Sequence, residues 1–165
     1  MKYLKIIQYN VIFIAALSLL LTNCSGSSIS SYSTEYQVSN MLQRANDYLS
    51  EGESDYALQI YDEILKINRT NTSALNYKGL AFASMGNYNE AIKMYNEVLT
   101  VDPNDLLALN NKGVALYNLG NYEDAIQMYN KILDLNPNDN DAKYNKSIAL
   151  LSLNQSQESN VMFDQ

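Results

Sequence analysis

Residues 72–105 read TSALNYKGLAFASMGNYNEAIKMYNEVLTVDPND, and residues 106–139 read LLALNNKGVALYNLGNYEDAIQMYNKILDLNPND. About half the places are identical, always at an offset of 34 residues: Gly79 with Gly113, Gly86 with Gly120, Tyr88 with Tyr122, Ala91 with Ala125, Tyr95 with Tyr129 and Pro103 with Pro137. A fixed period of this length is the mark of a stacked repeat, in which each unit buries its apolar face only against its neighbours.

Extending the register outward from this pair gives a first repeat at 38–71, with Met41, Ala45, Tyr48, Gly52, Ala57 and Tyr61 at the matching places. Arg69 stands there where the later copies have Pro, so a different exit loop is expected. Forward, a partial fourth unit occupies 140–165, with Ser147, Asn154, Ser159 and Phe163 in place of the Gly, Gly, Ala and Tyr. Residues 141–153 are expected to form a helix covering the third repeat, and the tail 156–165 to fray without a full second helix.

Each recurrent residue has a physical reading. Gly79 and Gly113 remove a side chain where two helices meet, with Ala45 as the near equivalent, and Ala57, Ala91 and Ala125 do so from the other side. That close approach makes room for Tyr61, Tyr95 and Tyr129 in the groove with the next repeat. Gly86 and Gly120 suit the left-handed residue that ends a helix, and Asn87 and Asn121 are expected to cap the next one. In Asp102-Pro103-Asn104-Asp105 and Asn136-Pro137-Asn138-Asp139, Pro stops one helix and Asn-Asp caps another. Neither stretch has the central Gly and terminal Glu of a calcium loop, so turn chemistry accounts for them.

These residues resemble the tetratricopeptide repeat family over 38–165, most closely in the two middle copies, where Leu75, Gly79, Phe82, Ala91, Tyr95 and Pro103 match the family pattern. The resemblance implies an all-α fold, an α-solenoid of antiparallel helix pairs with about three repeats and a partial fourth. It also implies a concave groove lined by the first helices, in which family members bind peptides or protein segments. By register the groove residues are Asn46, Asn76, Tyr77, Asn110, Asn111, Tyr117, Asn118 and Asn145. An Asn amide offers both a donor and an acceptor to a peptide backbone. Some family members use such an asparagine ladder; Asn111 and Asn145 align with it, whereas Gln43 and Tyr77 hold the matching places of the other repeats. The basic clamp of chaperone-binding members is not matched, because its places hold Leu42, Leu107 and Asn111.

Composition narrows the chemistry. There is no His and a single Cys, which excludes His-dependent general base catalysis, Ser-His-Asp and Cys-His arrangements and an intrachain disulfide. Glu90, Glu123 and Asp124 near the starts of second helices have a sufficient reason in the helix dipole. With no phosphate loop or metal cluster, no enzyme activity and no cofactor are expected. The formal net charge of −7 argues against a nucleic-acid partner.

At the N-terminus, Lys2 and Lys5 precede an apolar run over 6–21, the pattern of a secretory signal. Leu21-Thr22-Asn23-Cys24 resembles a bacterial lipobox, with Asn23 where that box prefers Gly, Ala or Ser. The expected organisation is therefore a lipoprotein-type signal peptide at 1–23, a lipidated Cys24 with a flexible Ser-rich tether at 24–37, and the repeats at 38–165. The protein expected is an exported, membrane-anchored scaffold of the bacterial cell envelope that binds a protein or peptide. Self-association through the incomplete last repeat, giving a homo-oligomer, is the alternative.

Overall fold

A computed structural model of the protein describes residues 26–163, with side chains over 34–156. The segment 1–23 and Cys24, on which the export and lipid-anchor expectations rest, lie outside the described residues. Seven helices and no strand are found among those described: α1 Gly26–Ser50, α2 Ser54–Ile67, α3 Thr72–Ser84, α4 Tyr88–Val101, α5 Leu106–Asn118, α6 Tyr122–Leu135 and α7 Asn140–Phe163. The chain divides into Met1–Asn40, whose described part is the opening of α1, and Met41–Gln165, which holds the repeats. Within the second unit each helix from α2 onward packs on the next, and α3 touches α5 as α5 touches α7. The repeats are therefore helix pairs in series, with successive first helices from α3 onward also in contact.

Turn chemistry fixes the breaks. Gly52, Gly86 and Gly120 have φ of 84°, 77° and 79°, the left-handed conformation that a Cβ disfavours. After Gly86, the Asn87 N–H returns to the Phe82 carbonyl at 2.9 Å, and after Gly120 the Asn121 N–H returns to Leu116 at 3.0 Å. Between repeats the caps are side-chain carboxylates and amides. Asn71 accepts from the Ala74 N–H at 2.8 Å, Asp105 from Ala108 at 2.7 Å and Asp139 from Ala142 at 2.9 Å. Asn87 and Asn121, expected to cap α4 and α6, occupy the cap positions but make no side-chain cap bond. The glycine turn already supplies the backbone geometry there, so the amides stay in solvent.

Two helices are longer than the sequence suggests. The Ser-rich stretch expected as a tether belongs to α1, which begins at Gly26; beyond Gly26 that stretch contains no Gly or Pro to interrupt a helix. At the other end α7 runs unbroken from Asn140 to Phe163. Asn154 replaces the helix-ending Gly of the earlier units, so the left-handed turn is lost and the helix continues.

Packing inside each repeat turns on one close approach. A Cβ placed on Gly79 would lie 2.5 Å from Cε1 of Tyr95, and one on Gly113 would lie 2.6 Å from Cε1 of Tyr129. The rings, 1 % and 2 % exposed, thus rest on the helix backbone of their own repeat. They also join the next one, since Tyr95 clusters with Ala108 and Ala115, and Tyr129 with Ala142 and Ala149. Small residues recur where first helices enter the stack: Ala74 and Ala81 on α3, Ala108 and Ala115 on α5, Ala142 and Ala149 on α7, all buried. On α1 the same two places hold Asn40 and Asp47, both exposed. The corresponding face of α1 is therefore polar and unsuited to close stacking on another unit.

Candidate functional site

The first helices of the repeats, α1, α3, α5 and α7, carry the residues expected to line a groove. Where α5 meets α7, the Asn145 amide donates to Asn110 Oδ1 at 3.1 Å, and the hydroxyls of Tyr117 and Ser152 lie 3.1 Å apart. Between them a cleft of about 450 Å³ is lined by Leu106, Leu107, Asn110, Ile132, Asp139, Asp141 and Asn145. A second cleft, of about 460 Å³, lies between α1 and α3 and is lined by Asn46, Leu49, Ser50, Tyr77, Leu80 and Ser84. Asn46 Oδ1 accepts a 2.6 Å hydrogen bond from the Tyr61 hydroxyl, and the Tyr61 ring stacks on that of Tyr77 with centroids 6.4 Å apart. Four of the eight residues thus fall in two places: Asn46 and Tyr77 share one cleft, and Asn110 and Asn145 the other.

The remaining four stand apart. Asn76 is buried, 4 % exposed, with Oδ1 partnerless, although by register it corresponds to Asn110. Asn111 is half-buried, and its side chain makes no hydrogen bond among the described residues. Asn118 turns its amide back to the Val114 carbonyl at 2.8 Å, and Tyr117 packs its ring on Tyr122 at 5.3 Å. Several of these side chains are therefore engaged within the fold. Leu49, Leu80 and Ser84 were missed by the Asn-centred expectation. Leu80 and Val114 are apolar at equivalent groove places, and only the structure shows that they remain 41 % and 40 % exposed.

Charge is spread unevenly: Asp139 and Asp141 line the cleft between α5 and α7, whereas none of the residues lining the cleft between α1 and α3 is charged. Lys78 ion-pairs with Asp62 at 2.5 Å and sits over the Phe82 ring, 5.8 Å from its centroid. Lys112 is its repeat equivalent, but the place of Asp62 is taken by Asn96. Burial holds the Lys112 ammonium below its ordinary pKa, with Asp124 opposing that shift and Lys131 adding to it. Burial likewise pushes the phenols of Tyr95 and Tyr129 up to about 12, and raises that of Tyr61 further, with the neighbouring Tyr77 adding to the effect. Glu90 is an exposed partner of Lys93 at 2.6 Å, as its helix-start position suggests. Among the described residues no group of His, Cys, Asp and Glu is arranged to hold a metal ion, and no helix is long and apolar enough to cross a membrane.

The tetratricopeptide repeat family model matches residues 42–105, 77–140 and 111–159. The chain belongs to the tetratricopeptide repeat family. No curated protein sequence matches it. Among solved structures, the first tetratricopeptide domain of Spaghetti (RPAP3), bound to the HSP90 peptide SRMEEVD, is similar with a TM-score of 0.67 and 20% identity, over 70% of this chain and 92% of that one. The Sgt2 domain from Aspergillus fumigatus gives 0.69 at 18% identity, over 74% and 82%. A tetratricopeptide repeat protein from Parabacteroides merdae gives 0.67 at 24% identity, over 77% and 50%. These likenesses establish the fold. The tetratricopeptide repeat is a protein-interaction scaffold, not a catalytic fold.

Proposed function

We propose that this protein is a non-catalytic adaptor of the bacterial cell envelope, anchored by lipid on Cys24 and holding a segment of a partner protein along α1, α3, α5 and α7. The observation that carries the binding part is the pair of open clefts between successive first helices. A likeness supports it: the similar domain of Spaghetti (RPAP3) holds a peptide, SRMEEVD. Leu42, Leu107 and Asn111 stand where a clamp for such an acidic terminus would need basic groups, so the partner differs in chemistry. The anchor is supported by Lys2, Lys5, the apolar run and Leu21-Thr22-Asn23-Cys24.

Two experiments test this. Labelled palmitate should enter the wild type and not Cys24→Ser; equal labelling removes the anchor. A photo-crosslinking side chain at Asn111, which is half-buried and has no side-chain hydrogen bond, should capture a discrete protein in the native envelope. Capture unchanged by a matched probe at Glu63 on the opposite helix layer would remove the groove. Self-association is a second reading with its own observation: Tyr144 and Leu151 on α7 are 66 % and 62 % exposed at the places that Asn110 and Tyr117 hold on α5. Head-to-tail growth would set them against Gln43 and Ser50 of a copy, by the offset that joins Asn110 to Asn145 and Tyr117 to Ser152. It would also bring Asn40 and Asp47 to places where the stacked repeats bury Ala, so pairing of two α7 helices is favoured instead. A concentration-dependent dimer in sedimentation, abolished by Leu151→Asp, would establish it.

A further inference from the structure

We infer that the cleft between α1 and α3 receives one apolar side chain of the partner segment, and that this side chain is flanked by Lys or Arg. The inference rests on the groove proposed above and names the chemistry of its occupant. Leu49, Leu80 and Tyr77 supply apolar walls, and a space of about 460 Å³ is ample for a Phe or Leu side chain. Tyr77 is held in place by its stack on Tyr61.

The side-chain oxygens that Asn46, Ser50 and Ser84 bring to the lining are already engaged. Asn46 Oδ1 accepts from the Tyr61 hydroxyl at 2.6 Å. The Ser50 hydroxyl donates to the Asp47 carbonyl at 2.8 Å. Ser84 donates to the Ala81 carbonyl at 2.7 Å and meets the Ser54 hydroxyl at 3.0 Å. An apolar occupant therefore strands none of these oxygens, whereas a polar one would lose its water and find all three already engaged.

Charge selects the flanks. None of the six lining residues is charged, and Glu51, next to Ser50, and Glu53, next to the Ser54 that meets Ser84, are both exposed. Of the basic residues on these two helices beside the cleft, Lys78 is committed to Asp62 and lines a separate cleft with Leu65, Lys66, Arg69 and Glu97, leaving the exposed Arg44. The balance at this end is negative. A cation beside the anchor gains from it, and an anion is repelled.

The test uses fluorescein-labelled peptides with a central Phe between Lys pairs, the same Phe between Glu pairs, and Ser between Lys pairs, titrated by anisotropy against the full chain in detergent micelles. The Phe-Lys peptide should bind about tenfold or more tighter than either control. Leu80→Gln, a neutral change at a solvent-reaching residue, should weaken it by about tenfold without altering the helical circular dichroism. Glu51→Gln with Glu53→Gln should erase the preference for Lys over Glu while leaving the preference for Phe over Ser. Equal affinity for the three peptides, no saturable binding of the Phe-Lys peptide, or wild-type binding by Leu80→Gln would each overturn the inference. Those outcomes with crosslinking at Asn111 intact reject this occupant alone; loss of the Asn111 capture rejects the groove itself.

Discussion

The first repeat and the two that follow it build the same helix pair around different contacts. In the second and third, a Gly on the first helix lets the Tyr ring of the second lie on bare backbone, at Gly79 with Tyr95 and Gly113 with Tyr129. In the first, that place holds Ala45, fully buried, and Tyr61 instead ties its hydroxyl to Asn46. The places equivalent to Asn46 are Leu80 and Val114, which offer no acceptor. Close approach holds the copies together, while a specific hydrogen bond adds to the first repeat. The same contrast puts the polar-rimmed cleft at the first repeat's edge.

The largest effect expected from this difference is on Gly79→Ala. Helix propensity alone would favour Ala by about 1 kcal/mol. Overpacking of a core costs about 1–3 kcal/mol, and a contact at 2.5 Å with a ring that is 1 % exposed belongs at the upper end, because the ring has nowhere to swing. Urea unfolding should therefore show a net loss of roughly 2 kcal/mol. Gly113→Ala should match it, since its contact is 2.6 Å. Pairing Gly79→Ala with Tyr95→Leu should recover part of the loss. If Gly79→Ala alone is as stable as wild type, close approach is not what separates the repeats.

Residues with one geometric task were legible in the sequence, and residues with a choice of partners were not. Gly86 and Gly120 had to be left-handed and are, and Asp105 and Asp139 had to cap and do. A backbone dihedral or an orphan N–H leaves a side chain little freedom, so its type betrays its role. An Asn on a first helix has several uses. Asn145 bonds Asn110, Asn118 turns to its own helix, Asn46 serves Tyr61, and Asn76 is buried. Register places these residues on a face but does not say whether neighbour, backbone or solvent takes the amide. The cleft was missed for a related reason: Leu80 looks like core in a sequence, and only its exposure marks it as a wall.

A smaller effect should separate the tyrosines. Tyr61→Phe leaves Asn46 Oδ1 without its donor and should cost about 1 kcal/mol, whereas Tyr95→Phe, whose hydroxyl makes no hydrogen bond among the described residues, should be nearly neutral at pH 7. In alkali the Tyr95 hydroxyl ceases to be neutral for stability. Its folded pKa of about 12 lies above the ordinary 10.0, so the folded state holds the proton longer. That contribution is complete below pH 10.0 and disappears as pH climbs through about 12. Tyr95→Phe and Tyr129→Phe should each flatten the alkaline fall in stability, measured by circular dichroism against pH. Unchanged alkaline profiles in both would show that the two phenols are not held neutral by burial.

The smallest effect concerns the cations beside the first helices. Lys78 has Asp62 as its partner, and its equivalent Lys112 faces a repeat in which Asn96 holds that place. Asn96→Asp should restore the pair. Asn96 is exposed, so the gain is limited to about 0.5 kcal/mol, as for surface ion pairs. The sharper readout is the Lys112 pKa itself, followed by heteronuclear NMR of its side chain. Burial lowers it, so between the folded value and the ordinary 10.5 the unfolded chain binds more protons, and this residue's contribution to stability rises with pH across that window. An Asp at 96 favours the charged ammonium, moves the folded pKa back up and shrinks that rise. If Asn96→Asp leaves the Lys112 pKa unmoved, the two repeats do not place their cations equivalently, and the difference between Lys78 and Lys112 lies in the backbone rather than in a single missing carboxylate.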